Sequence, residues 1–294
     1  MAVMEIGRVI RAHSNLYSVD RAGREFQCKP RGRFRLGGYR LAVGDQVRFS
    51  PISESEGVIE DILPRQTFLE RPLVANVDQA LVVFTATTPP LDLLLVDRFL
   101  IVAQRAGLRP ALCLNKVDQL DPDDVEAILR PYRRAGFVAV GVSAKRDMGL
   151  DELRAALRDR VTVFAGLSGV GKSSLANALL PGLELRTGEL SQRVGRGRHT
   201  TRNVQLLPLP GGCFVADTPG FTSLELAGML REDLKALYPE FAEFEADCRF
   251  ANCLHWREPV CGVKTAYEGG QLDAGRYERY VTILEQVAAT ERRY

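Results

Sequence analysis

Eight residues, Gly166-Leu167-Ser168-Gly169-Val170-Gly171-Lys172-Ser173, constrain this chain more than any other stretch, because they have the full spacing of a phosphate-binding loop. The apolar run Val161 to Ala165 before them reads as a strand, and Leu175, Ala176, Ala178 and Leu179 after them as a helix. Strand, glycine-rich turn and helix together predict an α/β domain. The loop amides would wrap a β-phosphate, Lys172 would reach the β- and γ-phosphates, and the Ser173 hydroxyl, followed by Ser174, would face Mg2+. The helix N-terminus adds its dipole.

The segments around this loop alternate in type. Ala80 to Thr85, Pro110 to Leu114, Phe137 to Val142 and Cys213 to Ala216 read as strands, with helices over Asp92 to Ala106, Pro122 to Arg134 and Leu150 to Arg158. Such alternation predicts a mainly parallel sheet covered by helices, with ligands at the strands' carboxyl ends.

Those ends carry further motifs. Asn115-Lys116-Val117-Asp118 follows one strand, and Ser143-Ala144-Lys145 follows the next. An aspartate at position 118 would accept both N1-H and N2-H of guanine, a donor pair that adenine lacks. Asn115 and Lys116 would brace the phosphate loop and cover the base. The Ala144 amide would meet O6 beside Ser143, and Lys145 would shield the ring. Asp217-Thr218-Pro219-Gly220 ends the last strand: Asp217 would hold Mg2+ through water and the Gly220 amide would meet the γ-phosphate. Upstream, Gly195-Arg196-Gly197-Arg198-His199-Thr200-Thr201 is a basic segment in which either Thr200 or Thr201 would reach Mg2+. Phe221 stands where many regulatory GTPases place a water-orienting glutamine, so intrinsic turnover should be slow and partner-dependent. His199 is the candidate base or water-positioning residue, with RNA contact or a turn cap as its other reading. Arg196 and Arg198 are weaker candidates.

Residues 1 to 68 differ from this. Short segments, Glu5 to Ala12, Leu16 to Asp20, Glu25 to Pro30, Tyr39 to Leu41, Asp45 to Ser50 and Gly57 to Ile62, are separated by glycine-bearing turns, which predicts a small antiparallel barrel. Val3, Ile6, Val9, Leu16, Val19, Val43, Val47, Phe49, Val58 and Ile59 are its candidate interior. Residues 1 to 50 hold ten Arg or Lys and four Asp or Glu, a balance of +6 within a chain of net charge +2. A basic barrel suits oligonucleotide contact, as would a solvated arginine-rich face with no such role.

Residues 225 to 294 carry helix candidates at Leu230 to Tyr238 and Gly275 to Ala289, with Tyr277, Tyr280, Leu284 and Val287 on one face. Between them Cys248, Cys253, His255 and Cys261 supply three thiolates and one imidazole. Soft sulfur with nitrogen at four positions suits a closed, structural tetrahedral Zn2+ site in a small unit that needs a staple. Cys28, Cys113 and Cys213 read as small core residues, and His13 as a loop or surface residue. No run of 18 apolar residues occurs, so the expectation is a cytoplasmic protein without a membrane span.

The motif order is unusual, because NKVD and SAK precede the phosphate loop and DTPG comes last. A circularly permuted GTPase domain accounts for it. With the basic barrel before it and the Cys/His spacing after it, the chain resembles the ribosome small subunit-dependent GTPase A family over nearly its whole length. The resemblance implies an oligonucleotide-binding (OB) barrel at 1–68, a permuted GTPase domain at 69–224 and a helical zinc domain at 225–294. It also implies zinc at the four Cys/His positions and GTP hydrolysis stimulated by the small ribosomal subunit and its rRNA. Release of another assembly factor late in maturation belongs to the same implication, and a monomer is expected. Two other readings stand beside it: an RNA-binding protein that holds GTP without ribosome-stimulated turnover, and a GTPase regulating a non-ribosomal protein complex.

Overall fold

The computed structural model describes residues 4–32, 41–70, 73–180, 204–221 (backbone only from 217), 226 and 228–291. Five strands, β1 (Glu5–His13), β2 (Leu16–Arg21), β3 (Arg24–Pro30), β4 (Gln46–Pro51) and β5 (Glu56–Ile62), close on themselves in the order β1-β2-β3-β5-β4-β1. Closure removes free sheet edges and gives the expected barrel, except that β3 and β5 pair parallel where an antiparallel barrel is expected. Val9, Val19, Val47, Phe49 and Ile59 fill its interior, joined by Phe26, Cys28 and Leu41. Ile6 and Leu16, expected inside, lie 55% and 39% exposed. The reason for Ile6 is strand period: Gly7 faces inward so closely that a Cβ would stand 2.5 Å from Val19 Cγ1, which turns Ile6 outward. Val58 is half-buried beside the fully buried Ile59 for the same reason. Val3 and residues 39 and 40 of the expected strand Tyr39 to Leu41 lie outside the described residues, and Leu41 is not in a strand.

A short hairpin, β6 (Phe68–Glu70) with β7 (Leu73–Ala75), leads into the α/β unit. There β8 (Gln79–Phe84), β9 (Arg109–Asn115), β10 (Val138–Val142), β11 (Val161–Ala165) and β13 (Cys213–Phe221) run parallel in the order β10-β9-β8-β11-β13. Every residue of β8 and β11 is buried, as expected for strands covered on both faces. Helices α1 (Leu93–Arg105), α2 (Pro122–Arg134), α3 (Leu150–Leu157) and α4 (Lys172–Leu179) connect them. Asp92 caps α1 by accepting from the Leu95 amide at 3.0 Å. Strand β12 (Gln205–Leu209), which the sequence reading did not anticipate, runs antiparallel to β13 and pairs with β1, so barrel and α/β sheet form one continuous sheet.

The C-terminal part holds α5 (Arg231–Lys235), α6 (Gly262–Glu268) and α7 (Ala274–Glu291) around a core that includes Tyr238, Phe241, Tyr277, Tyr280 and Leu284. The helix expected over Leu230 to Tyr238 is only five residues long. Pro239 explains this, because the residue before proline is pushed toward extended backbone and Tyr238 sits at φ −115°, ψ 81°. Helix α6 was not expected at all.

Candidate nucleotide and metal sites

The loop Gly166–Gly171 leaves β11 and enters α4 through three left-handed or extended-positive turns, with φ of +130° at Gly166, +83° at Gly169 and +98° at Gly171. Two of these glycines are also sterically required. A Cβ on Gly166 would lie 2.1 Å from the Val83 carbonyl oxygen, and one on Gly171 would lie 2.2 Å from Asn115 Nδ2. The second collision shows how tightly the NKVD motif presses on the loop.

Asn115, buried at the end of β9, donates from Nδ2 to the Val170 carbonyl at 2.8 Å and accepts at Oδ1 from the Ala144 amide at 3.3 Å. Lys116, at φ +66°, donates from Nζ to the Gly169 carbonyl at 2.9 Å and to that of Thr88. Val117 is buried, and the half-buried Asp118 sits in a single 3-10 turn, Val117–Gln119. Ser143 is buried and accepts from the Arg146 amide at 3.2 Å, which folds the turn holding the half-buried Ala144 and the exposed Lys145. The structure thus brings NKVD, SAK and the phosphate loop together at the carboxyl edge of the sheet.

Within the loop, Leu167, Ser168 and Gly169 are exposed while Val170 is buried as its apolar anchor. Lys172 is buried, and its Nζ donates to the carbonyls of Gly166 at 2.9 Å and Leu167 at 2.6 Å. Burial pulls its pKa down to about 8. Ser173 is buried and Ser174 half-buried on the first turn of α4. Asp217 and Gly220 belong to β13, next to β11: Val163 pairs with Ala216, one residue before Asp217. His199, Thr200, Thr201, Arg196 and Arg198 lie outside the described residues. Sequence reasoning missed the loop Thr85–Pro90, whose Thr88 carbonyl receives Lys116 and whose Pro89 lies against Gly169. No motif marks it.

The second site is built by Cys248, Cys253, His255 and Cys261, whose donor atoms all lie within 4.8 Å of one another. Four-coordinate zinc with Zn–S of about 2.3 Å and Zn–N of about 2.0 Å places sulfurs about 3.8 Å apart, and sulfur about 3.5 Å from nitrogen. Here Cys248 and Cys261 Sγ are 3.9 Å apart, and His255 Nδ1 stands 3.6 and 3.4 Å from them. The donor set fits a tetrahedral metal. Burial raises the pKa of the Cys253 and Cys261 thiols, so a cation is what would hold them as thiolates.

Four residues outside the ligand set shape this site. Glu245 Oε1 lies 3.1 Å from His255 Nε2, fixing the tautomer that leaves Nδ1 free for metal. The hydroxyls of Tyr277 and Tyr280 donate to the carbonyls of His255 and Leu254 at 2.7 and 2.6 Å, which holds His255 at its unusual φ of +56°. Glu258 accepts from the amides of Leu254 and Trp256 at 2.8 and 2.9 Å. Both tyrosines were legible only as apolar-face residues, and neither glutamate was legible.

A phosphate-loop domain with guanine-type motifs at neighbouring strand ends, reached in permuted chain order, defines a GTPase class of protein, preceded here by a barrel and followed by a Cys3His metal unit. Within that class the chain belongs to the RsgA GTPase family, which its residues 62–227 match, while residues 6–59 match the RsgA N-terminal domain. A protein of Caldanaerobacter subterraneus subsp. tengcongensis named small ribosomal subunit biogenesis GTPase RsgA is 44% identical over 98% of this chain and 97% of its own length. The protein of that name from Moorella thermoacetica is 45% identical over 98% and 99%. Among solved structures, YjeQ from Thermotoga maritima superposes with TM-score 0.80 at 39% identity, covering 97% of this chain and 99% of its own. YloQ, described as a circularly permuted GTPase, gives TM-score 0.81 at 35% identity over 98% and 96%. The chain is accordingly a GTP hydrolase by family.

Proposed function

We propose that the chain couples GTP hydrolysis to late maturation of the small ribosomal subunit, is stimulated by that subunit and its rRNA, and promotes release of another assembly factor. The carrying observation is the single buried amide of Asn115, which ties the phosphate loop to both base-side motifs and so supports one guanine-nucleotide site. The relatives' names supply the ribosomal direction.

In this reading Gly166, Leu167, Ser168, Gly169, Val170 and Gly171 present amides to the phosphates, and Lys172 exchanges its loop carbonyls for β- and γ-phosphate oxygens. Mg2+ is held by Ser173, with Ser174 beside it, by Asp217 through water, and by Thr200 or Thr201. Asp118 reads the guanine edge between Lys116 and Lys145, with Asn115, Val117, Ser143 and Ala144 shaping its seat. The Gly220 amide meets the γ-phosphate and His199 orients the attacking water. Cys248, Cys253, His255 and Cys261 hold one structural Zn2+, which would stabilise the C-terminal unit outright. The protein works in the cytoplasm as a monomer; no helix among the described residues is long and apolar enough to cross a membrane. Its working units are 1–68, 69–224 and 225–294.

The test is GTP turnover by the purified chain with and without mature small subunits, with ATP, large subunits and His199→Ala as controls. Large stimulation by small subunits alone is the expected result, and its loss in His199→Ala despite retained GTP and subunit binding places that histidine in the chemistry. Absence of stimulation would withdraw the ribosomal assignment.

A further inference from the structure

Strand β1 serves two cores at once. Strand alternation turns Val9 into the barrel interior with Val19 and Phe49, and Ile10 into the α/β core with Leu206, Phe214 and Ala216, beside a bulge between Val9 and Arg11. The Arg8 guanidinium covers the Phe214 ring, 5.5 Å from its centre. Packed cores transmit displacements, so these contacts couple the barrel to the β12–β13 hairpin.

Along this seam Arg11 pairs in register with Gln205, and Gln205 pairs in register with Asp217. The three residues form one row across β1, β12 and β13, beginning in the barrel and ending at the aspartate of DTPG. With its amide oxygen turned toward β1, Gln205 accepts from Arg11 Nε at 2.9 Å and from Nη2 at 3.0 Å. Glu25 lies 3.6 Å from Arg11 Nη1 and steadies the other arm of the guanidinium. Two arginine donors converging on one oxygen hold its position more firmly than a single donor does, and the arginine charge strengthens both bonds. Among the described residues this is the one registered pair between β1 and β12, so the side-chain clamp sets where β12 rests along the seam.

We propose that Arg11 is a positioning residue for magnesium-dependent GTP hydrolysis: from the barrel it holds Gln205, and through the β12–β13 ladder it holds the backbone at Asp217. The proposal rests on the reading that Asp217 serves the magnesium ion. It assigns the barrel a part in the nucleotide chemistry, and by linkage whatever changes the barrel's hold on Gln205 changes the metal requirement.

The experiment is a Mg2+ titration of GTP turnover in the full chain, without RNA or ribosomes, comparing Arg11→Ala, Arg11→Lys, Gln205→Leu, the Arg11→Ala/Gln205→Leu double variant and Asp217→Asn. Guanine-nucleotide affinity in EDTA and the melting temperature are measured alongside. Loss of a charge-assisted hydrogen-bond pair should raise the half-maximal Mg2+ concentration about three- to tenfold in Arg11→Ala and in Gln205→Leu. The double variant should add nothing further, Arg11→Lys should recover part of the loss, and affinity in EDTA should stay within about twofold. If one single variant fails to fold, the other carries the comparison. A half-maximal Mg2+ within about twofold of the parent in the folded single variants, or additive losses in the double variant, overturns the proposal. An unchanged requirement in Asp217→Asn removes the magnesium reading itself and the proposal with it, whereas a normal loss there with unchanged Arg11→Ala removes the proposal alone.

Discussion

Asn115 Nδ2 donates to the Val170 carbonyl at 2.8 Å, across 55 residues of sequence and from one strand end to the loop that follows another. The same side chain accepts from Ala144, so one amide joins three motifs. Removing it leaves buried backbone groups without partners, at a cost of about 1–3 kcal/mol. Asn115→Ala should therefore weaken GDP binding by about tenfold to a hundredfold, read by titration of a fluorescent GDP analogue. Wild-type affinity in that variant would show that the loop holds its shape without the brace.

Lys172 gives the site a pH signature. Its pKa is lowered to about 8 by burial, while its Nζ donates to the Gly166 and Leu167 carbonyls. Phosphate oxygens favour the ammonium form, so the bound state has the higher pKa. Above pH 8 the free protein carries fewer protons at this position than the complex, and binding takes up a proton there. Affinity should be complete below about pH 8 and fall as pH rises beyond it. Calorimetry at pH 8.5 in two buffers of different ionisation enthalpy measures the uptake; a value of zero would contradict the assignment of Lys172 to the phosphates.

What the sequence revealed and what it hid divide along a physical line. The phosphate loop, NKVD, SAK and the Cys/His cluster demand fixed residue types at short spacing, and each is readable because its members lie within one short stretch of sequence. The relationships that assemble them run over long separations. Glu245 is one of 37 acidic residues until its distance to His255 is known. The bulge between Val9 and Arg11, which shifts the register of β1 against β2, leaves no pattern that strand periodicity could detect. Strand β12 contains Pro208 and so lacks an ordinary strand signature, yet it joins the two sheets.

Glu245 offers a test of the metal site that leaves every ligand in place. Partners of this kind orient a metal-bound imidazole and raise its basicity, and their loss typically costs about 10- to 100-fold in metal affinity. Glu245→Ala should bind Zn2+ roughly 10- to 100-fold more weakly in competition with a chromophoric chelator, with one Zn2+ per chain still bound at saturation. Cys261→Ser should abolish tight binding. Equal affinity in Glu245→Ala and the parent would mean that packing by Phe241, whose ring meets His255 edge-on at 5.6 Å, orients the imidazole alone.

Asp97 joins the C-terminal unit to the α/β domain. It is fully buried on α1 and accepts from Tyr132 Oη at 2.9 Å on α2, and from Arg276 Nη1 at 2.7 Å and Arg279 Nε at 2.6 Å on α7. Arg276 is itself buried and makes its other ion pair with Glu240 at 2.7 Å. Taking away one partner of such a cluster strands the opposite charge in a medium that solvates it poorly, which costs about 3–5 kcal/mol. Asp97→Asn keeps the shape and an acceptor for Tyr132 while removing the charge, so it isolates the electrostatic part. It should lower the melting temperature by about 10 °C, and Asp97→Leu combined with Arg276→Met should lower it at least as far, because Arg279 and Glu240 then keep their charges without those partners. A melting temperature within about 2 °C of the parent for Asp97→Asn would mean that water reaches the two arginines, and the seam between α1 and α7 would then owe its stability to the apolar cluster that holds Ile101, Tyr280 and Leu284.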